Sequence, residues 1–528
     1  MTSRERVDVK TEKIDALLAT FDRCHLPGIA VGLAIDGIPA YRKGYGLASM
    51  ELPVVLSPTI RMRIGSTSKH FTSLAYLLLC EEGRATLNDR VGTYLPELHP
   101  VTHQITARHL MAHTSGLRDA TNFNYQFSGT QHAASSAELL SLYRDIDDVN
   151  AAPDTNWIYN NGGYLILSAM IERIADQPLE EVLRQRIFEP VGLIDTELRR
   201  FDTDFVANSA TLHTTNPAGH YEKSYLGSAL AGEGGMVSTI DDMLRWLRHM
   251  ETPVVGAAAT WGALKTPQQL INGTSTGYGL GLVTGRYRGV DTLYHSGSVM
   301  GGNSQMLRVP AAGLDLAVMT NRHDVNAVEL AQLILDTCLV NLRPARSSWP
   351  VVVGNYFSPT TERVIQLLEQ GGRQVVSVDS MSMPVEADDE GVLWPIGASG
   401  TWRQATTLVG PAEKPDSIRF SDFGNLDVLQ PLPPGRESDA TAIDGLFWSA
   451  ASDTTVTIGR AAHGAGLSAR GRWGSVSYQL ECLADGVWKA KAPGAIPWSG
   501  MLVFDPDKAA FRFSNNACTR RLTFRRQA

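Results

Sequence analysis

The chain is poor in cysteine, in excess charge of either sign and in long apolar runs. Its five cysteines, at positions 24, 80, 338, 482 and 518 of 528 residues, are odd in number and lack ligand-type spacing. That pattern argues against a disulfide scaffold and a cysteine metal cluster. A net charge of -8 with 19% charged residues leaves no basic footprint for nucleic acid and no polybasic membrane patch. No apolar stretch approaches the roughly 20 residues that a membrane-spanning helix needs. The opening residues "MTSRERVDVKTEKIDALLATF" are charged and lack the apolar centre of a secretory signal. A cytoplasmic protein without nucleic-acid or membrane partners is the expectation.

What is present is a globular composition, with 43% hydrophobic residues. At roughly 150 residues per domain the chain holds more than one. "GIAVGLAIDGIPAYRKGYG" places apolar runs on both sides of Asp36-Gly37, a dipeptide suited to a tight hairpin. Helical patterns follow, including Tyr164 to Ile174. Strand patterns return at "NSQMLRVP" and "LDLAVMT", and "NAVELAQLILDTCLVNL" reads as a closing helix. A terminal hairpin, a helical middle and returning strands predict an α+β domain over 1–342, with one antiparallel sheet flanked by helices. Beyond "RPARSSWP" only short β-type segments remain. The proline-rich "PLPPGRESDA" divides them, and Gly354, Tyr356, Phe357 and Ser358 match Gly445, Phe447, Trp448 and Ser449 at one offset. Two related β-barrels, over 350–433 and 440–528, are expected.

Three sites carry candidate chemistry. In "IGSTSKHFTSLAYLLLC", Phe71, Leu74, Ala75 and Leu78 have the spacing of an amphipathic helix. Ser66 and Lys69, at i and i+3, are neighbours at its start. There a desolvated lysine activates a hydroxyl and free N–H groups favour an oxyanion. An N-capping serine beside a solvated lysine is the commoner reading of the bare motif, which needs companions. In "NWIYNNGG", Tyr159 offers a proton shuttle and Asn161 an amide donor, although an aromatic turn before a helix has the same spacing. In "LYHSGSVMGG", His295, Ser296 and Gly297 end a β segment at glycines that let a ligand approach the backbone.

Taken in order, Ser66-Thr67-Ser68-Lys69, Tyr159-Asn160-Asn161 and His295-Ser296-Gly297 resemble the S-x-x-K, Y-x-N and H-x-G motifs of the penicillin-recognising serine hydrolases. These include class C β-lactamases and DD-peptidases. "ITARHLMAHTSGL", "IFEPVGLIDTEL", "GEGGMVSTIDDML" and "YGLGL" add to the likeness, which covers about residues 10–342. The resemblance implies a β-lactamase/transpeptidase-like fold and an acyl-enzyme mechanism without cofactor or metal. Ser66 would be the nucleophile, Lys69 its activating partner and Tyr159 the proton relay. Asn161 would orient the substrate amide, His295 would hold the proton network of Tyr159, and Gly297 would line the site. The N–H groups of Ser66 and Ser298 would form the oxyanion hole.

With two barrels following, the chain is similar to the bacterial D-aminopeptidases. That likeness implies release of N-terminal D-residues from small peptides or amino-acid amides, and it is compatible with a homodimer. Esterase, β-lactamase, DD-peptidase or acyltransferase activity, and a non-catalytic penicillin-binding protein, are the alternatives. The resemblance also implies a loop from the last barrel, Ala492 to Gly500, reaching the cleft with Ile496 and Trp498 against substrate. Here "APGAIPWSG" lacks the acidic residue that would meet a substrate ammonium.

Two rival motifs fall short. Gly273-Thr274-Ser275-Thr276-Gly277 fits G-x-S-x-G without the strand and helix of a nucleophile elbow. His109 and His113 have two-histidine metal spacing, but Leu110 stands where a zinc protease needs glutamate.

Overall fold

The computed structural model describes residues 7–216, 218–343, 350–396, 404–411, 413–435, 442–461, 464–492, 499–515 and 518–527. A single 3₁₀ turn, Gly65–Ser68, leads into helix α1 (Lys69–Glu81), and helix α2 (Asn161–Ala175) packs against it. The spacing of apolar residues in α1 predicts one buried stripe. Instead every residue from Lys69 to Leu79 is buried, because α2, the Ala258–Lys265 helix and the Arg184–Phe188 turn all pack around it. Helices α3 (Ile240–Glu251) and α4 (Ala327–Cys338) lie against the sheet.

That sheet has six antiparallel strands. β1 (Ile29–Ile35) and β2 (Ile38–Tyr45) form the expected hairpin about Asp36-Gly37. β3 (Val283–Tyr287), β4 (Val290–Val299), β5 (Gly302–Val309) and β6 (Leu314–Thr320) form the returning meander. The order is β3-β4-β5-β6-β1-β2, so chain segments nearly 300 residues apart pair along β1 and β6, from Ile29 opposite Thr320 to Ile35 opposite Leu314. Alternation on β6 serves two cores. Leu314, Leu316 and Val318 join Leu307, Val309 and Ile334 of α4 on one face. Ala317 and Met319 join Ala30, Met306 and Leu244 of α3 on the other.

β4 does not end at His295 to Gly297 as its glycines suggest. It runs on to Val299 because β5 pairs with it as far as Val299 opposite Gly302. β3 stops earlier, opposite Tyr294, so the segment His295–Val299 extends past its neighbour on that side.

Two closed eight-stranded barrels follow, the first from Gly354–Phe357 to Asn425–Pro431 and the second from Gly445–Ser449 to Thr519–Arg526. The sequence match between them lies on their first strands. Tyr356 and Phe447 are both buried and occupy equivalent places, each pairing with the last strand of its barrel. The second barrel shares a core with the helical region. Phe127 enters between Phe513 and Phe524, with ring centroids 5.6 and 5.7 Å away, and the Tyr478 hydroxyl donates to the Gln126 carbonyl at 2.6 Å. No helix among the described residues is long and apolar enough to cross a membrane.

Candidate active site

The partly exposed Ser66 sits in the tight turn before α1, where the main chain of Gly65 passes under β4. A side chain at Gly297 would overlap the Ile64 carbonyl, and one at Gly65 would come within 2.8 Å of the Ser298 nitrogen. The glycine of H-x-G is thus required by two backbones crossing. The same crossing brings the Ser298 amide beside the start of the Ser66 turn.

Lys69 is fully buried, and its Nζ meets three oxygens: Ser66 Oγ at 3.1 Å, Asn161 Oδ1 at 2.8 Å and the Glu233 carbonyl at 2.6 Å. Burial pushes its pKa down to about 7, against the pull of the Glu233 and Asp119 carboxylates. Two of the three partners can only accept. A neutral amine therefore spends both N–H groups on Asn161 and Glu233 and turns its lone pair to the Ser66 hydroxyl.

Asn161 is the first residue of α2, and Asn160 caps the helix by accepting from the Gly163 N–H at 2.8 Å. Asp119 accepts from the N–H groups of Asn161 and Gly162 at 2.9 and 3.1 Å, fixing the turn from outside. Asn161 Oδ1 is spent on Lys69, so its amide nitrogen is the group left to meet a carbonyl. The Tyr159 ring lies beneath Lys69, with Nζ 4.7 Å from its centroid. Burial raises the pKa of its hydroxyl well above the ordinary value, while a hydrogen bond with Ser66 opposes the rise.

His295 is buried, and its Nδ1 lies 2.6 Å from the Ser296 carbonyl, which can only accept. The proton is therefore on Nδ1, and Nε2 accepts from the Tyr278 hydroxyl at 2.9 Å. Burial and the nearby Lys69 hold its pKa down to about 3, so the ring is neutral. Both nitrogens are taken by Ser296 and Tyr278, so His295 reaches Tyr159 only through Tyr278 and a shared ring cluster. Within that cluster His113 lies 4.2 Å from Tyr159 and 5.0 Å from Tyr278.

The structure thus brings Ser66, Lys69, Tyr159, Asn161, His295, Gly297 and Ser298 to one place. Ile496 and Trp498 fall in 493–498, outside the described residues. His109 and His113 go to separate partners, Asp154 Oδ2 at 3.1 Å and the Asn160 N–H at 3.1 Å. Ser275 lies on a loop that packs on the first barrel through Asn272 and Phe423. Sequence reasoning passed over Asp119, Glu233 and Tyr278. The segments "GEGGMV" and "YGLGL" held two of them, but neither segment shows which side chain turns inward.

A family model described as Beta-lactamase matches residues 12–339. The chain belongs to the beta-lactamase family. Its fold is that of the penicillin-recognising serine hydrolases, with two barrels added. Among curated relatives, this beta-lactamase family member is similar to the unguisins hydrolase ungD' of Aspergillus campestris, at 27% identity over 57% of this chain and 60% of the relative. It is also similar to the D-aminopeptidase of Brucella canis, at 25% identity over 66% of each chain. The chain thus matches a little less than two thirds of the length of either relative. Among solved structures, the octameric penicillin-binding protein homologue from Pyrococcus abyssi superimposes with a TM-score of 0.58 at 20% identity, covering 80% of this chain and 100% of that one.

Proposed function

We propose that this chain is a serine hydrolase working through an acyl-enzyme, most readily a D-aminopeptidase that releases N-terminal D-residues from short peptides and amides. One observation carries the reading: a desolvated lysine whose remaining lone pair faces a partly exposed serine hydroxyl. Lys69 takes the Ser66 proton as Oγ attacks the substrate carbonyl. The N–H groups of Ser66 and Ser298 receive the developing oxyanion, and Asn161 Nδ2 holds the substrate amide. The Tyr159 hydroxyl gives its own proton to the leaving amine and takes back the one held by Lys69, and water then releases the acyl group along the reverse path. The likeness to a D-aminopeptidase over 66% of both chains supports the choice of substrate.

The test is covalent labelling by an activated ester followed by intact-mass measurement. A single adduct on Ser66, lost in Ser66→Ala, is expected. A label on another serine would overturn the assignment. A panel of D- and L-aminoacyl amides, a simple ester and a penicillin then decides the substrate. Preference for the ester or penicillin over every D-aminoacyl amide would reject the aminopeptidase reading.

A further inference from the structure

Phe423 and Gly424 form the two-residue turn between Ser417–Asp422 and Asn425–Pro431 in the first barrel, with Asp422 paired to Asn425. Their φ angles are 51° and 81°. Such a turn favours asparagine, aspartate or glycine at its first position, and a bulky residue there is strained. The strain has a counterpart elsewhere. The Phe423 ring is 2% exposed and belongs to the core of the catalytic domain, 5.0 Å from the Trp157 ring. Two hydrogen bonds seat the turn: Asn425 Nδ2 donates to the Thr155 carbonyl at 3.2 Å, and Asn272 Nδ2 to the Phe423 carbonyl at 3.3 Å. Behind it, Asp422 is gripped by Arg363 of the same barrel at 3.0 Å and by Arg520 of the second at 2.7 Å.

Trp157 connects this turn to the chemistry. Its ring lies 6.0 Å from Tyr159, 5.8 Å from Tyr278 and 5.7 Å from His113. Tyr278 is the hydroxyl that bonds His295. A residue that breaks its local rule for a contact in another domain marks a place where position matters. We propose that Phe423 is a positioning residue for acyl transfer. Through Trp157 it fixes the Tyr159 and Tyr278 rings, making the first barrel part of the active-site scaffold. The proposal rests on the acyl-enzyme reading of the Ser66 site.

The test uses the full chain and p-nitrophenyl acetate, comparing wild type, Phe423→Leu and Phe423→Asn. The asparagine variant creates the favoured Asn-Gly turn, so the hairpin keeps its form while the ring is lost. Circular dichroism and a cooperative thermal transition establish folding. Acylation should fall in the order wild type, leucine, asparagine, reaching about 10–100-fold in the last, the scale of a small misplacement near the chemistry. KM should change much less than kcat. The pH limb of acylation should move upward as a looser ring cluster admits water to Lys69. Equal rates and limbs across the folded series would overturn the proposal. If the asparagine variant does not fold, the leucine variant decides. A loss of threefold or more with a shifted limb supports the proposal, and wild-type behaviour overturns it. The acyl-enzyme reading fails separately, by absence of a Ser66 adduct in the wild type, and this inference falls with it.

Discussion

Lys69 is where sequence and environment meet most directly. Its position three residues after Ser66 guarantees proximity, but only burial brings its pKa to about 7. The acylation rate should therefore rise with pH through a single limb near 7, as the amine loses its proton. His295 does not add a second limb, because burial holds it down to about 3 and it is already neutral. A pH profile of kcat/KM between 5 and 9, repeated in Asn161→Leu, checks the assignment. Removing the Oδ1 acceptor takes away a partner of the protonated amine and should shift the limb. A limb that stays near 7 in that folded variant would detach it from Lys69. The candidate residues were legible because the three motifs stand in order along the chain. The direct partner of His295 was not, since Tyr278 reaches it through a turn whose course no local pattern encodes.

Among the elements, the contact between the Gly65–Ser68 turn and β4 leaves no room for a side chain. Gly297→Ala would force its methyl into the Ile64 carbonyl and separate the Ser298 amide from the Ser66 turn. Losing one oxyanion donor costs about 10²–10³ in kcat. We expect a loss of that order in acylation with the barrels still folded, measured by burst kinetics and circular dichroism. Undiminished acylation would place the oxyanion site elsewhere. The β1–β2 hairpin, β5, β6 and helices α1, α2 and α4 follow from local sequence pattern. The full burial of α1 does not, since a stripe of apolar residues reports one packed face and says nothing of later elements that cover the others.

For the whole molecule, the joint between the barrels combines an apolar cluster, Val364 with Leu483, Val487 and Met501, with a buried ionic one. Asp422 is 2% exposed and accepts from Arg363, Arg520 and Gln404. The two guanidinium groups and the amide hold its pKa down to about 2 against the effect of burial. A carboxyl lowered in this way contributes stability that is complete above its unfolded value of about 3.9 and is withdrawn as pH falls toward 2. Asp422→Asn should cost about 3–5 kcal/mol near neutral pH, because the buried Arg520 loses this carboxylate, while Arg363 keeps Asp379 at 3.5 Å. Between pH 4 and 2 the variant should lose less further stability than the wild type. Urea midpoints at three pH values measure both effects, and parallel acid slopes would remove Asp422 from the acid response.

The sequence by itself determined the elements and the set of candidate side chains. A hairpin needs its turn residues, a helix its period, and an acyl-transfer site its serine, lysine, tyrosine and histidine, all of which are local properties. It also disclosed the repeated barrel, because equivalent first strands such as Gly354–Phe357 and Gly445–Ser449 must satisfy the same closure. Tertiary structure alone decided that Lys69 is desolvated, that His295 bonds Tyr278, and that Phe423 of the first barrel packs on Trp157. The physical reason is the same in each case. Desolvation, ring packing and buried ion pairs depend on which distant surfaces meet, and that is fixed only when β1 closes on β6 and the barrels dock against the helical region.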